Sequence, residues 1–186
     1  MTKKLLYFSC LTALVVFSCR PKNSNKNINV TENNIGRQFR ISNIVDTTGN
    51  TITLDFSKSE INIIDFWNNS CPPCIEEMKQ FPDLLKEKVN KVTIFSISVN
   101  QFWLWKTTIR EHTNAFSFLQ DSVLNWKHYN LMTSDNPKFR NTFAVDRLKE
   151  LDSLYRVKGN PAYFVLNNKG KILSRPQSAV AYLKSL

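Results

Sequence analysis

The chain has 186 residues, a hydrophobic fraction of 42% and a formal net charge of +10. That length suits one domain with short extensions, and the apolar fraction supports an ordinary buried core. Only 4 glycines are present, which excludes collagen-like and glycine-linker architectures.

The first segment is not part of the domain. Met1 to Lys4 carries two lysines, and Leu5 to Ser18 is free of charge. This run is shorter than the roughly 20 residues that a bilayer-spanning helix needs. A basic start followed by a short apolar run predicts a secretory signal. The run ends in Val16-Phe17-Ser18-Cys19, which resembles a bacterial lipoprotein signal, where a small residue precedes a cysteine lipidated after cleavage. Residues 1–18 are then the signal and Cys19 the lipidated N-terminus. An ordinary signal peptide or an uncleaved anchor is the alternative, and every version places the domain outside the cytoplasm. Residues 19–34 are rich in Asn, Lys and Ser and too poor in large apolar groups to bury surface, so they form a flexible tether. The basic excess then reads mostly as solvated surface, with attraction to anionic headgroups or acidic partners as the sharper reading. Export argues against nucleic acid.

From residue 35 to 186 the pattern becomes that of a folded domain. Phe39 to Val45 and Thr51 to Phe56 are short β-like runs around the turn Asp46-Thr47-Thr48-Gly49-Asn50, which predicts a hairpin. Ile61 to Trp67 is a β-branched and aromatic run expected to be buried on both faces. A helix should follow, with Ile75, Met78, Leu85 and Val89 near one face, kinked or ended early by Pro82. Val92 to Val99 predicts a strand, Phe102 to His112 a helix, and Phe116 to Leu119 a short extended piece. Leu124 to Arg140 fits no element clearly. Thr142 to Tyr155 is periodic at Phe143, Leu148, Leu151 and Leu154, hence helical. Ala162 to Leu166 and Lys171 to Ser174 form a hairpin around Asn167-Asn168-Lys169-Gly170, and Ser178 to Leu186 a final helix. Strands alternating with helices predict an α/β domain with a mixed sheet.

The cysteines sort by position. Cys10 lies in the signal and Cys19 is the lipidation site, so Cys71 and Cys74 are the thiols of the domain. A CxxC pair can be half of a zinc site, but no second pair exists, and His112 and His128 lack ligand spacing. No metal is therefore expected, and a redox pair is favoured. A dithiol at a helix start meets unpaired backbone N–H groups and a partial positive charge, both of which stabilise a thiolate. Cys71, the N-terminal member, is assigned the attack on a substrate disulfide. Cys74, inside the first turn, resolves the mixed disulfide. Pro72 and Pro73 stiffen the loop without removing donors that the helix needs.

Two separated landmarks carry a family resemblance. Asp65-Phe66-Trp67-Asn68-Asn69-Ser70-Cys71-Pro72-Pro73-Cys74 resembles the thioredoxin active-site segment. Gly159-Asn160-Pro161-Ala162-Tyr163-Phe164-Val165-Leu166, followed by Gly170-Lys171-Ile172, resembles the cis-proline loop and hairpin of that family. With the N-terminal hairpin and lipoprotein-like signal, the chain looks most like the TlpA/ResA-like group of membrane-anchored thiol–disulfide oxidoreductases. The resemblance implies a thioredoxin-like fold: a mixed central sheet flanked by helices, with an added N-terminal β-hairpin. It also implies a cis Pro161 beside the dithiol, and Asn160, Trp67 and Pro72 around the bound substrate. Asp65 becomes a buried acid that shuttles a proton for Cys74. Strand alternation, which places Asp65 with Ile61, Ile63 and Trp67, agrees with burial and a raised pKa; an acid tied up in structural hydrogen bonds is the plainer reading. No cofactor beyond the dithiol is implied. The partners are protein disulfides or dithiols and, for a reductant, a membrane electron donor.

Four positions depart from the family pattern. Ser70 replaces the usual aromatic residue, Lys79 a helix proline, Trp103 a functional glutamate, and Asn160 is unusual before the cis proline. They leave the redox direction open, with reduction favoured by resemblance. Two alternatives remain. One is a binding lipoprotein with a structural disulfide. The other is a peroxiredoxin-like peroxidase, against which Asn68 stands where that family has threonine. The aromatic cluster Phe102-Trp103-Leu104-Trp105 is expected to be core, with a partner groove as the alternative.

Overall fold

The structure is a computed structural model that describes residues 34–111, 114–120, 123–131 and 145–186. The signal-like run, Cys19, the tether up to residue 33, His112 and residues 132–144 lie outside the described residues. The elements run β1 (Ile44–Val45), β2 (Thr51–Ile52), β3 (Ile61–Trp67), α1 (Pro72–Met78), α2 (Phe81–Lys86), β4 (Val92–Ser98) and α3 (Phe102–Glu111). A 3-10 helix at Asn114–Gln120 follows, then β5 (Trp126–Leu131), α4 (Val145–Tyr155), β6 (Ala162–Asn167), β7 (Ile172–Ser174) and α5 (Ala179–Lys184).

The strands form one sheet in the order β2-β1-β5-β4-β3-β6-β7. The centre is parallel, β3 beside β4 and β4 beside β5. β6 and β7 add antiparallel on one side and β1 and β2 on the other. The fold is thus the expected thioredoxin-like α/β arrangement with a mixed sheet. Alternation along β3 divides the core. Ile63 and Trp67 join Met78, Phe81, Leu85, Trp105, Val165 and Leu183, so α1, α2, α3 and α5 cover that face. Ile64 and Phe66 join Phe39, Phe95, Leu151, Tyr155 and Phe164 under α4 and the N-terminal segment.

That N-terminal segment closes the β7 side of the sheet. Ile172 N donates to Arg37 O at 2.9 Å and Phe39 N to Gly170 O at 2.9 Å. Gly170 has φ +74, and a Cβ there would lie 2.7 Å from the Phe56 ring and 2.6 Å from Gln38 Nε2, so both conformation and space require glycine. The β1–β2 hairpin forms around Asp46, whose Oδ1 accepts from Thr48 N and Asn50 N. Each of its strands is only two residues long.

The early end expected from Pro82 is present: the run divides into two helices, with Pro82 in the first turn of the second. The proline ring conflicts with the carbonyl four residues earlier, and Met78 is where α1 ends. The segment Phe116 to Leu119 is 3-10 helical rather than extended. Its alternating rings fill core instead, Phe116 against Trp67 and Phe118 stacked on Trp126. The unassigned stretch after Leu124 contains β5. Its polar residues hide it, but Asn130 is buried because its Nδ2 donates to Ser98 O and Asn100 O. Helix α4 is described from Val145 rather than Thr142.

Phe164 is fully buried on the α4 face, with ring centroids of Phe39, Tyr155 and Phe66 at 5.5, 5.6 and 6.2 Å. Phe164→Ala is expected to cost about 3–5 kcal/mol, measured as a lower urea midpoint with an unchanged slope.

Candidate active site

Strand β3 delivers the site. Its last residue, Trp67, is fully buried, and its carbonyl accepts from Val99 N at 2.9 Å. The loop that follows is held by asparagines. Asn68 Oδ1 accepts from Ser70 N at 2.8 Å, and Asn69 N donates to Asn100 Oδ1 at 2.8 Å. Asn69 Nδ2 also donates to Thr108 Oγ1 on α3. Asn100 is in turn fixed by Ser98 Oγ at 3.0 Å.

Cys71 caps α1, and Pro72 and Pro73 occupy its first turn, exposed to solvent. A disulfide joins Cys71 and Cys74, with Cα atoms 5.3 Å apart. Cys74 N donates to Cys71 Sγ at 3.3 Å, the contact that would stabilise a thiolate at a helix start. Cys71 retains 6% exposure and Cys74 none, so the N-terminal cysteine is the one that reaches solvent.

Behind the dithiol lies Asp65, fully buried. It pairs in register with Ser96 on β4 and Tyr163 on β6, and its side chain lies on the face of Ile63 and Trp67, the face that α1 covers. Trp126 Nε1 donates to Ser96 Oγ at 2.9 Å, and Ser96 Oγ donates to Asp65 Oδ2 at 2.7 Å. Oδ1 has no partner among the described residues. Burial pushes the Asp65 carboxyl up to about 7, the Ser96 hydrogen bond opposes the rise, and the Glu77 charge adds to it. A carboxyl that titrates there can take or return a proton at neutral pH.

The Asn160–Pro161 peptide bond is cis. Because Ala162 pairs with Phe66, this bond lies at the same end of the sheet as the dithiol. Asn160 is half-buried, and its Oδ1 has no partner among the described residues. Tyr163 is buried with its hydroxyl near the Glu77 carboxylate but without an acceptable hydrogen bond among the described residues. Burial first, then Asp65 and Glu77, raise its pKa. Glu77 Oε2 accepts from Ala179 N and Val180 N at 2.8 and 3.1 Å, docking α5 onto α1.

The structure thus gathers Asp65, Trp67, Cys71, Cys74 and Pro161 at one end of the sheet. Among the aromatics of α3, Trp105 is core, Phe102 packs beside it at 5.8 Å, and Trp103 is 52% exposed. His128 packs on Trp126 with centroids 4.5 Å apart and the rings tilted by 53°, and Cys19 and His112 lie outside the described residues. Sequence reasoning missed Ser96, Trp126, Glu77 and Asn100. The polar Ser96 and Ser98 inside an otherwise apolar strand were the available signal.

The sign of the Asp65 effect follows from its raised pKa. Folded, it keeps its proton to about pH 7, whereas its ordinary value is 3.8. The resulting stability is complete below about pH 4 and is lost as pH rises through about 7. Asp65→Asn should remove this loss. In urea unfolding of the oxidised proteins from about pH 4.5 to 8.5, wild-type stability minus variant stability should fall, then flatten. A flat difference throughout would deny Asp65 a raised pKa.

No curated protein matches the chain significantly. The fold resembles a thiol:disulfide interchange protein from Bacteroides sp. at 20% identity, covering 81% of this chain and 86% of that one, TM-score 0.58. It also resembles the thioredoxin domain of a thiol-disulfide oxidoreductase from Bacteroides vulgatus at 19% identity, covering 81% and 96%, TM-score 0.53. A conserved protein of unknown function from Bacteroides fragilis aligns at 11% identity over 82% and 98%, TM-score 0.56. At such identities the likeness establishes the shared fold. The AhpC/TSA family profile matches residues 35–175, most of the chain and all of the site, and the protein belongs to the AhpC/TSA family.

Proposed function

We propose that this protein is a thiol–disulfide oxidoreductase of the TlpA/ResA-like kind, exchanging the Cys71–Cys74 disulfide with partner proteins. The observation that carries the reading is the conjunction of a closed disulfide at the cap of α1 with a buried carboxyl titrating near neutrality on the sheet beneath it. A structural staple needs no such carboxyl. In the reducing direction, the Cys71 thiolate attacks a substrate disulfide. That S–S bond breaks, a mixed disulfide forms, and the displaced substrate thiolate takes a proton. Asp65 accepts the Cys74 proton, directly or through a water, and Cys74 attacks Cys71 Sγ. The Cys71–Cys74 bond re-forms, the second substrate sulfur leaves as a thiolate, and Asp65 gives up its proton as that thiolate is protonated. Two electrons and two protons pass from the protein dithiol to the substrate. The opposite direction uses the same groups.

The family name also raises the peroxidase reading. Position 68, where a peroxiredoxin-like site would have threonine, holds Asn68, whose Oδ1 is engaged by Ser70 N. This disfavours peroxide chemistry at Cys71. The same proposal sets the domain outside the cytoplasm, tethered by lipid at Cys19, a reading supported by the lipoprotein-like run before that cysteine; a reductant there would draw on a membrane electron donor.

Cys74→Ser should trap partners as mixed disulfides through Cys71, visible on non-reducing gels and released by dithiothreitol, whereas Cys71→Ser should trap none. Equilibration with glutathione gives the direction: about −270 mV marks a reductant and about −120 mV an oxidant. Absence of adducts together with no reduction of insulin would reject the enzyme reading, and consumption of peroxide would favour the peroxidase. Mass spectrometry of the membrane fraction should find a diacylglyceryl group on Cys19; an unmodified N-terminus would remove the anchor.

A further inference from the structure

A cleft of about 340 Å3 opens beside the cis bond. Arg156, Lys158, Pro161, Tyr163 and Arg175 contribute to its lining. It lies where α4 ends, where the chain enters β6 and where it leaves β7. Ala162 pairs with Phe66 near the end of β3, and β3 leads directly to Cys71, so the cleft stands at the dithiol's end of the sheet.

Its charge is one-sided. Three cations line the cleft and no Asp or Glu does. None of the three forms an ion pair among the described residues, where the ion pairs are Lys58–Asp55, Lys79–Glu76 and Lys86–Asp83. The nearby Glu77 carboxylate is occupied by the backbone of α5. Asp152 lies one turn before Arg156 on α4 and does not line the cleft.

One of the cations is held by its side chain, and a second is placed by its backbone. The Arg175 guanidinium lies 4.5 Å from the Phe164 ring centroid and donates to Arg156 O at 3.4 Å. Arg156 ends α4 with φ +56, its N–H donating to Asp152 O at 2.8 Å. This is the left-handed cap that glycine enters most easily. The chain has arginine there, which puts a cation at the rim of the cleft. Unpaired cations on a partly ordered wall favour an anionic partner and speed its encounter.

We infer that this cleft is a recognition subsite for an acidic polypeptide segment flanking the substrate's disulfide. The inference rests on the exchange reaction proposed above and names its substrate class. The cis-proline loop would align the segment while Arg156, Lys158 and Arg175 take its carboxylates.

The test uses the reduced full-length protein and two disulfide-bonded peptides, identical except that Glu residues beside the cysteine in one are Gln in the other. Second-order rates are measured by stopping the exchange with alkylating agent. At low salt the Glu peptide should react about tenfold faster, and the ratio should approach one in about 1 M salt. The triple variant Arg156→Gln, Lys158→Gln, Arg175→Gln should also bring the ratio towards one. The single Lys158→Glu, on an exposed loop, should lower it without depending on refolding of the triple. A control losing equal charge elsewhere, Lys58→Gln, Lys86→Gln, Lys91→Gln, should keep the ratio. Equal wild-type rates for the two peptides overturn the subsite while exchange stands. An equal loss of preference in the control also overturns it, assigning the preference to net charge. Reduction of neither peptide, together with no oxidation of their dithiol forms by the oxidised protein, rejects the exchange reading and this inference with it.

Discussion

Strand β3 is paired along both edges, in parallel with β4 and antiparallel with β6. With both edges satisfied and both faces covered, it has no freedom to shift register. A slip of one residue would turn Asp65 and Trp67 to the α4 face and bring Ile64 and Phe66 under the dithiol. This double pairing therefore sets which side chains lie beneath Cys74. It also brings the dithiol and the cis bond to one end of the sheet, because β3 ends where β6 begins. The asparagine loop, the cap of α1 and the opening at Cys71 all depend on that placement.

Burial of Asp65 is the price of this register. An isolated carboxylate in such surroundings costs several kcal/mol, and the molecule limits that cost in two ways. The carboxyl remains protonated up to near-neutral pH, and the chain Trp126–Ser96–Asp65 satisfies one of its oxygens. Oδ1, without a partner among the described residues, leaves the ionised form short of a second donor, in keeping with the raised pKa. Trp126 itself is packed by Phe81, Phe118 and His128, so the position of the carboxyl is tied to the same aromatic layer that supports α2 and the 3-10 helix. Titration of the buried carboxyl and stability of the core are therefore properties of one cluster.

The surroundings of the dithiol are polar and unusual. Ser70 is exposed beside Cys71, and Lys79 is engaged with Glu76 at 2.7 Å rather than breaking the helix. The break instead comes from Pro82, which separates α1 from α2 and leaves Glu77 free to dock α5. The basic wall at Arg156, Lys158 and Arg175 adds a field that the redox chemistry itself does not require. In the proposed exchange, the reaction and the choice of partner are carried by different parts of the same sheet end.

Much of this was legible in the amino-acid order, for a local reason. The β-branched run of Ile61 to Trp67, the Cys71-Pro72-Pro73-Cys74 segment, the Asn167–Gly170 turn and the periodicity of α4 and α5 are short-range patterns, and each states its own conformation. β5 was not legible, because Lys127, His128 and Asn130 look like loop until pairing with β4 makes them a strand and the Ser98 and Asn100 carbonyls accept from the Asn130 side chain. Nor was the 3-10 helix, whose alternating phenylalanines imitate a strand and are claimed instead by Trp67 and Trp126. Sequence alone identified a dithiol at a strand–helix junction with an acid on the strand before it and a proline loop far along the chain. Tertiary structure decided which groups surround that acid, how little of Cys71 reaches solvent and that three cations meet beside Pro161. These are contacts between residues distant in sequence, set by strand pairing and burial, and no local pattern encodes them.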